Sequence, residues 1–350
     1  MTMRYAQTDM IKYRSIPLLI CLGLLAILVT ACSVHDPQYE AALEWKRGLF
    51  QRLQSNLSQP ITARVQKMPP DLLKATQDYD SSIGITNTDR YAARPATADE
   101  LALIQSYIDL LPRIHQTVFA KKLLAVYLID GFSGAGLSDW VVDREGHTYY
   151  YLILNSSLFI ESLDDWLTYK DSSLFDTAVA SPTIRVRTQT NYQALMYGLL
   201  HEGAHIVDYE LGITPYVDPH HRRLSERNLE ASKFTDGVWM QRSQPMARYD
   251  FKHRRDLNIY GIFPQRGLIP RTELPAMFSQ LTKTPFVSFY SGTSWNEDLA
   301  DYVTYHHIEN KLSGEITVEL LGEGNVIDRY APVKMPPAKQ REESVRAFYD

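Results

Sequence analysis

Three residues in one short stretch, His201, Glu202 and His205, have the types and spacing for metal-assisted hydrolysis. Histidines four apart on an α-helix leave from one face, one turn apart, so their neutral imidazoles can meet a single Zn²⁺. Glu202 is rotated by about 100° from His201, which sets it beside such an ion rather than on it. From there it can take a proton from a water that attacks a carbonyl. The surrounding residues, Tyr192 to Tyr209, read YQALMYGLLHEGAHIVDY. Leu195, Leu199, Leu200, Ala204 and Val207 recur at helical spacing, which predicts an amphipathic helix carrying the HExxH. The competing reading is a helix with two surface histidines.

A catalytic zinc site takes three protein ligands and keeps one position open. Downstream, Ser294 to Asp301 read SWNEDLAD, and Leu299, Tyr302, Val303 and Ile308 predict a helix onward to Lys311. Glu297 and Asp301 are again four apart on one face. Glu297 suits a third ligand, and Asp301 suits the acceptor for the free N–H of a liganding histidine. The alternative is a helix start with acidic residues near its positive end. His220 and His221 stand in reserve as third ligands, and His253 is a further candidate. His306 and His307, two to three turns past Glu297, are expected to be solvated. Asp208 is expected to make a structural hydrogen bond.

At these residues the chain resembles the gluzincin peptidases, whose second motif reads Asn-Glu-x-x-(small)-Asp. It is similar in particular to the family of the anthrax lethal factor catalytic domain. That family follows HExxH with a small-or-apolar pair, an Asp and a Tyr, where this chain has Ile206, Val207, Asp208 and Tyr209. It also places a tyrosine seven residues before its glutamate ligand, where this chain has Tyr290. The metzincin class is excluded, because its third-ligand position falls on Leu211. The resemblance implies a zincin-like fold, a Zn²⁺ cofactor and a peptide or protein substrate. It implies His201, His205 and Glu297 as metal ligands, Glu202 as general base, Tyr290 as oxyanion donor and Asp301 as the outer acid. It covers two short segments, and the roughly ninety residues between them exceed the family's separation. Trp239–Arg255 falls in that insert.

The elements that must hold these residues read as follows. Residues 33–66 are predicted helical, broken by Met68-Pro69-Pro70. The stretch 76–98 reads as loop. Thr97 or Asp99 caps a helix ended by Pro112. Leu123–Ile129 and Thr148–Asn155 read as strands, joined by a glycine-bearing loop or hairpin over Gly131–Gly146. Thr148–Asn155 reads equally as an edge strand or a buried central one. The order helix, strands, helices predicts an α+β fold, with a small sheet, the active helix and a mostly helical C-terminal half.

Composition bounds the rest. A formal charge of −5 over 350 residues leaves no basic surplus for a phosphate backbone, so no nucleic-acid partner is expected. Cys21 and Cys32 are the only two cysteines, which rules out a disulfide framework or a cysteine zinc site in the body. Arg4, Lys12 and Arg14 precede an apolar run from Ile16 to Val29, the pattern of a signal peptide. The run ends in Val29-Thr30-Ala31-Cys32, which resembles a bacterial lipobox with Cys32 as the lipidated residue. The expected organisation is a signal peptide at 1–31, a helical extension and loop at 32–98 and a metallopeptidase domain at 99–350. The expected place is the bacterial envelope, with a lipid anchor and, from Ser33, the outer membrane. Two rival functions remain: a cell-wall amidase on the same metal, and a non-enzymatic lipoprotein with a structural zinc site. Glu202 argues against the second, which needs no base.

Overall fold

The computed structural model describes residues 37–215 and 230–349. Cys32, the leader over 1–31 and the reserve ligands His220 and His221 lie outside the described residues. The chain divides into a unit ending at Glu44 and a larger one from Trp45 onward. The larger unit carries both main sheets and every site residue described below.

Helix α1 (Pro37–Leu53) is followed by α2 (Pro70–Ser82), which starts at the proline predicted to break the first helical stretch. Proline suits that first turn because its missing N–H has no partner there anyway. Helix α2 also runs into the stretch expected to be loop. A short strand β1 (Ala92–Arg94) leads to α3 (Ala98–Ile108), where Thr97 and Glu100 form a capping box. Pro112 ends that run and starts α4 (Arg113–Lys122).

Strands β2 (Leu123–Asp130), β3 (Gly136–Val142) and β4 (Thr148–Asn155) follow. The sheet order is β1-β2-β4-β3. Strands β2 and β4 are parallel and buried on both faces, which accounts for their unbroken apolar runs. Both edge strands, β1 and β3, are antiparallel to their neighbours, and β3 lies inside the stretch expected to be loop or hairpin. Thr148–Asn155 is therefore the central strand of the two readings. Alternate residues of β2 and β4 feed two cores. Val126, Leu128, Leu152 and Leu154 face the helical core, while Tyr127, Ile129, Tyr151 and Ile153 pack with Leu49, Leu53 and Leu72.

Helix α5 (Leu163–Ser172) and strand β5 (Thr183–Arg187) precede α6 (Leu195–Leu211), the predicted HExxH helix. Gly203 lets α4 approach it: a Cβ there would sit 2.5 Å from His115 Cδ2. That close packing outweighs the helix penalty of glycine, about 1 kcal/mol. A small hairpin of β6 (Trp239–Gln241) and β7 (Gln244–Pro245) follows, then α7 (Leu274–Leu281) and α8 (Trp295–Asn310). Strands β8 (Thr317–Gly322) and β9 (Asn325–Tyr330) join β5 in a second antiparallel sheet. The architecture is α+β with small sheets. The C-terminal half holds more strand than its sequence suggested, because β5 finds its partner β8 only after more than a hundred residues. No helix among the described residues is long and apolar enough to cross a membrane.

Candidate metal centre

Helices α6 and α8 pack against each other and bring the two sequence motifs together. Ser294 caps α8 and accepts the N–H of Glu297, which places Glu297 in the first turn. The acidic helix start and the convergence on the histidines are thus both true of this residue. His201, His205 and Glu297 form a group that could hold a metal ion, with donor atoms all within 4.8 Å of one another. Glu297 Oε2 lies 3.0 Å from His201 Nε2 and 3.5 Å from His205 Nε2. Ligands at 2.0–2.1 Å from a tetrahedral zinc stand about 3.3 Å apart, so these separations suit one small ion.

The other ring nitrogen of His201 donates to Asp301. Nδ1 lies 2.9 Å from Asp301 Oδ1, which leaves Nε2 to face Glu297. Burial works against a charged imidazole here, but the hydrogen bonds and charges of Asp301 and Glu297 outweigh it and raise the His201 pKa to about 10. His205 is raised for the same reason, with the charge of Glu297 outweighing burial. Burial also opposes ionisation of Glu297, yet the two histidines hold its carboxyl well below the usual carboxylate range. Two imidazoles and a carboxylate that bind a cationic proton this strongly suit a divalent cation in its place.

Asp301 is fully buried and accepts four hydrogen bonds. His201 and Tyr197 donate to Oδ1, each at 2.9 Å. Lys170 donates to Oδ2 at 2.6 Å, and Ser288 also donates to Oδ2. The sequence reading missed Lys170 and Ser288, because neither lies near a motif and no local pattern marks a buried lysine.

Glu202 is 6 % exposed and lies against the start of β3, where a Cβ on Gly136 would come within 3.1 Å of its Cγ. The Tyr290 ring stacks on His201 with centroids 5.5 Å apart and planes 11° apart. Burial first, then the charges of Glu297 and Glu202, keep its phenol protonated well above the ordinary tyrosine range.

The described part of the insert supports the start of α8. Trp239 Nε1 donates to Asp298 Oδ2 at 2.8 Å, and Arg242 Nε donates to Asn296 Oδ1 at 3.0 Å. Arg341 clamps Asp298 through both carboxylate oxygens, at 3.0 and 2.7 Å. Asp208 makes the structural bonds expected of it, accepting from Thr214 N and Oγ1 at 2.6 and 2.5 Å.

The other histidine candidates among the described residues do not join the group. His253 Nδ1 pairs with Asp256 Oδ2 at 3.3 Å and is not a member of the group. His306 and His307 are 6 % and 3 % exposed, which corrects the expectation that they are solvated. His307 Nε2 is 2.9 Å from Leu110 O, and His306 Nδ1 is 3.2 Å from Tyr349 Oη. They fill a helix interface that their position past Glu297 did not reveal. No protein-family model, curated protein or solved structure matches this chain.

Proposed function

We propose that this chain is a zinc-dependent peptidase with a zincin-like fold, exported and lipid-anchored through Cys32 in the bacterial envelope. The observation that carries the reading is the meeting of His201, His205 and Glu297, with His201 backed by Asp301. A second observation favours hydrolysis over a purely structural site: Tyr290 stacks on His201 and Glu202 follows His201 on the helix, and neither belongs to the ligand group.

A bound zinc ion supplies Lewis acidity to a carbonyl and lowers the pKa of water. The chain's own residues do the rest. Glu202 accepts the proton of the attacking water and passes it to the leaving amine. Tyr290, protonated, donates a hydrogen bond to the oxygen on which negative charge develops. Asp301 fixes the ring and tautomer of His201. Edge strand β3, which starts beside Glu202, suits an extended peptide as an added strand. That reading assigns the edge to β3 rather than to Thr148–Asn155.

The test is Glu202→Gln, assayed for zinc content and for hydrolysis of unfolded protein and of peptidoglycan. Retained zinc with peptide hydrolysis reduced by about 10²–10⁴-fold supports the peptidase. Cleavage of peptidoglycan alone would mark a cell-wall amidase. Zinc bound without hydrolysis by either form would mark a structural site.

A further inference from the structure

Lys170 is 0 % exposed, in a chain whose other described lysines all keep some contact with solvent. A fully buried lysine is rare unless it is paired. Its Nζ lies 2.6 Å from Asp301 Oδ2 and 3.4 Å from the hydroxyl of Tyr197. The rings of Tyr197, Tyr305 and Tyr290 surround it at 4.7, 5.3 and 5.7 Å. Two of those rings, Tyr197 and Tyr290, also stack on His201.

We infer that Lys170 is a positioning residue of the metal centre, holding the Asp301 carboxylate in the orientation that presents His201 to the ion. The inference rests on the metal reading above. Asp301 could turn about its side-chain bonds and carry its carboxylate away from His201. Lys170 and Ser288 occupy Oδ2, so Oδ1 is left to His201 and Tyr197. All four lone-pair sites of the carboxylate are then used. The bond also ties α5 to α8 across the helix that carries the histidines, linking three helices at one carboxylate. The fixed charges balance as well: the ammonium offsets Asp301 in a region with no solvent to screen it.

A buried ion pair can also serve only as glue between helices. The two roles separate in metal affinity. A positioning role makes Lys170 matter only through Asp301, so its loss has nothing further to remove once the carboxylate is gone. Glue acts on the helices and adds its loss to any other.

The experiment uses the full-length chain freed of metal by chelation, with Zn²⁺ affinity read by competition against a chromogenic chelator. The proteins are wild type, Lys170→Met, Asp301→Asn and the double variant. Lys170→Met is expected to weaken Zn²⁺ binding about 10–100-fold. In the Asp301→Asn background the same change is expected to add less than about twofold, since an asparagine oxygen accepts from His201 without needing a countercharge. Lys170→Met affinity within about twofold of wild type overturns the inference. So do losses that multiply in the double variant.

Lys170→Met strands a buried carboxylate and Asp301→Asn a buried ammonium, so either single variant can fail to fold, which circular dichroism would show. The double variant, which removes both charges, then decides: it is expected to fold and to bind zinc as Asp301→Asn does, or, where that single variant does not fold, about 10–100-fold more weakly than wild type. A double variant that loses zinc where Asp301→Asn keeps it overturns the inference. A wild-type chain that takes up no zinc removes the metal reading itself. A zinc-binding wild type beside an unaffected Lys170→Met removes the Lys170 inference alone.

Discussion

The ring of Tyr290 lies parallel to the imidazole of His201, with planes 11° apart and centroids separated by 5.5 Å. The stack fixes the ring beside the candidate ligands and separates its packing role from that of its hydroxyl. Tyr290→Phe keeps the stack and deletes the donor. Zinc affinity is expected to stay within about threefold of wild type, while turnover falls about 10²–10³-fold, the usual cost of one oxyanion donor. Turnover unchanged in Tyr290→Phe would assign Tyr290 to packing alone.

Zinc uptake should release protons. In the metal-free protein the His201 pKa is raised to about 10, so near pH 7 its imidazole carries a proton that a metal ligand cannot keep. Binding at pH 7 is expected to release about one proton or more, and affinity is expected to fall as pH drops from 8 to 6. Calorimetry in buffers of different ionisation enthalpy reads the count. Heats that do not change with buffer would contradict it.

Asp171 is fully buried, and neither of its carboxylate oxygens has a hydrogen-bond partner. Burial, only partly offset by Lys170, raises its pKa to about 7. A carboxyl raised in the folded state keeps its proton there after the unfolded chain has lost it. Its effect on stability is therefore absent at low pH and becomes unfavourable as pH climbs from about 4 through 7. Asp171→Asn is expected to stabilise the protein at pH 8 by on the order of 2–4 kcal/mol and by little at pH 4. Urea unfolding at the two pH values measures the difference, and an equal effect at both would refute it.

Gly136 leaves no room for a side chain. A Cβ there would lie 2.6 Å from Ile153 O on the neighbouring strand and 3.1 Å from Glu202 Cγ. Gly136→Ala must push β3 outward or displace Glu202. The expected outcome is a loss of about 1–3 kcal/mol in stability and reduced hydrolysis. Zinc affinity is expected to hold, because His201, His205 and Glu297 all sit on helices. Unchanged stability and turnover would show that β3 does not bound the site as described.

The sequence by itself determined what is local. The i, i+4 spacing of His201 and His205 and the Thr97 cap are periodic or next-turn relations, and each appears in the structure where the spacing put it. Apolar runs likewise marked β2 and β4. They could not tell edge from centre in Thr148–Asn155, because a strand's place in a sheet depends on its neighbours. Glu297 was legible as a candidate only because an HExxH demands a partner; its 3.0 Å approach to His201 comes from the packing of α6 on α8. Lys170, Ser288 and the buried His306 and His307 carried no local signal at all. Their roles are set by contacts between residues far apart in the chain, and only the tertiary fold, which decides who is desolvated beside whom, could supply them.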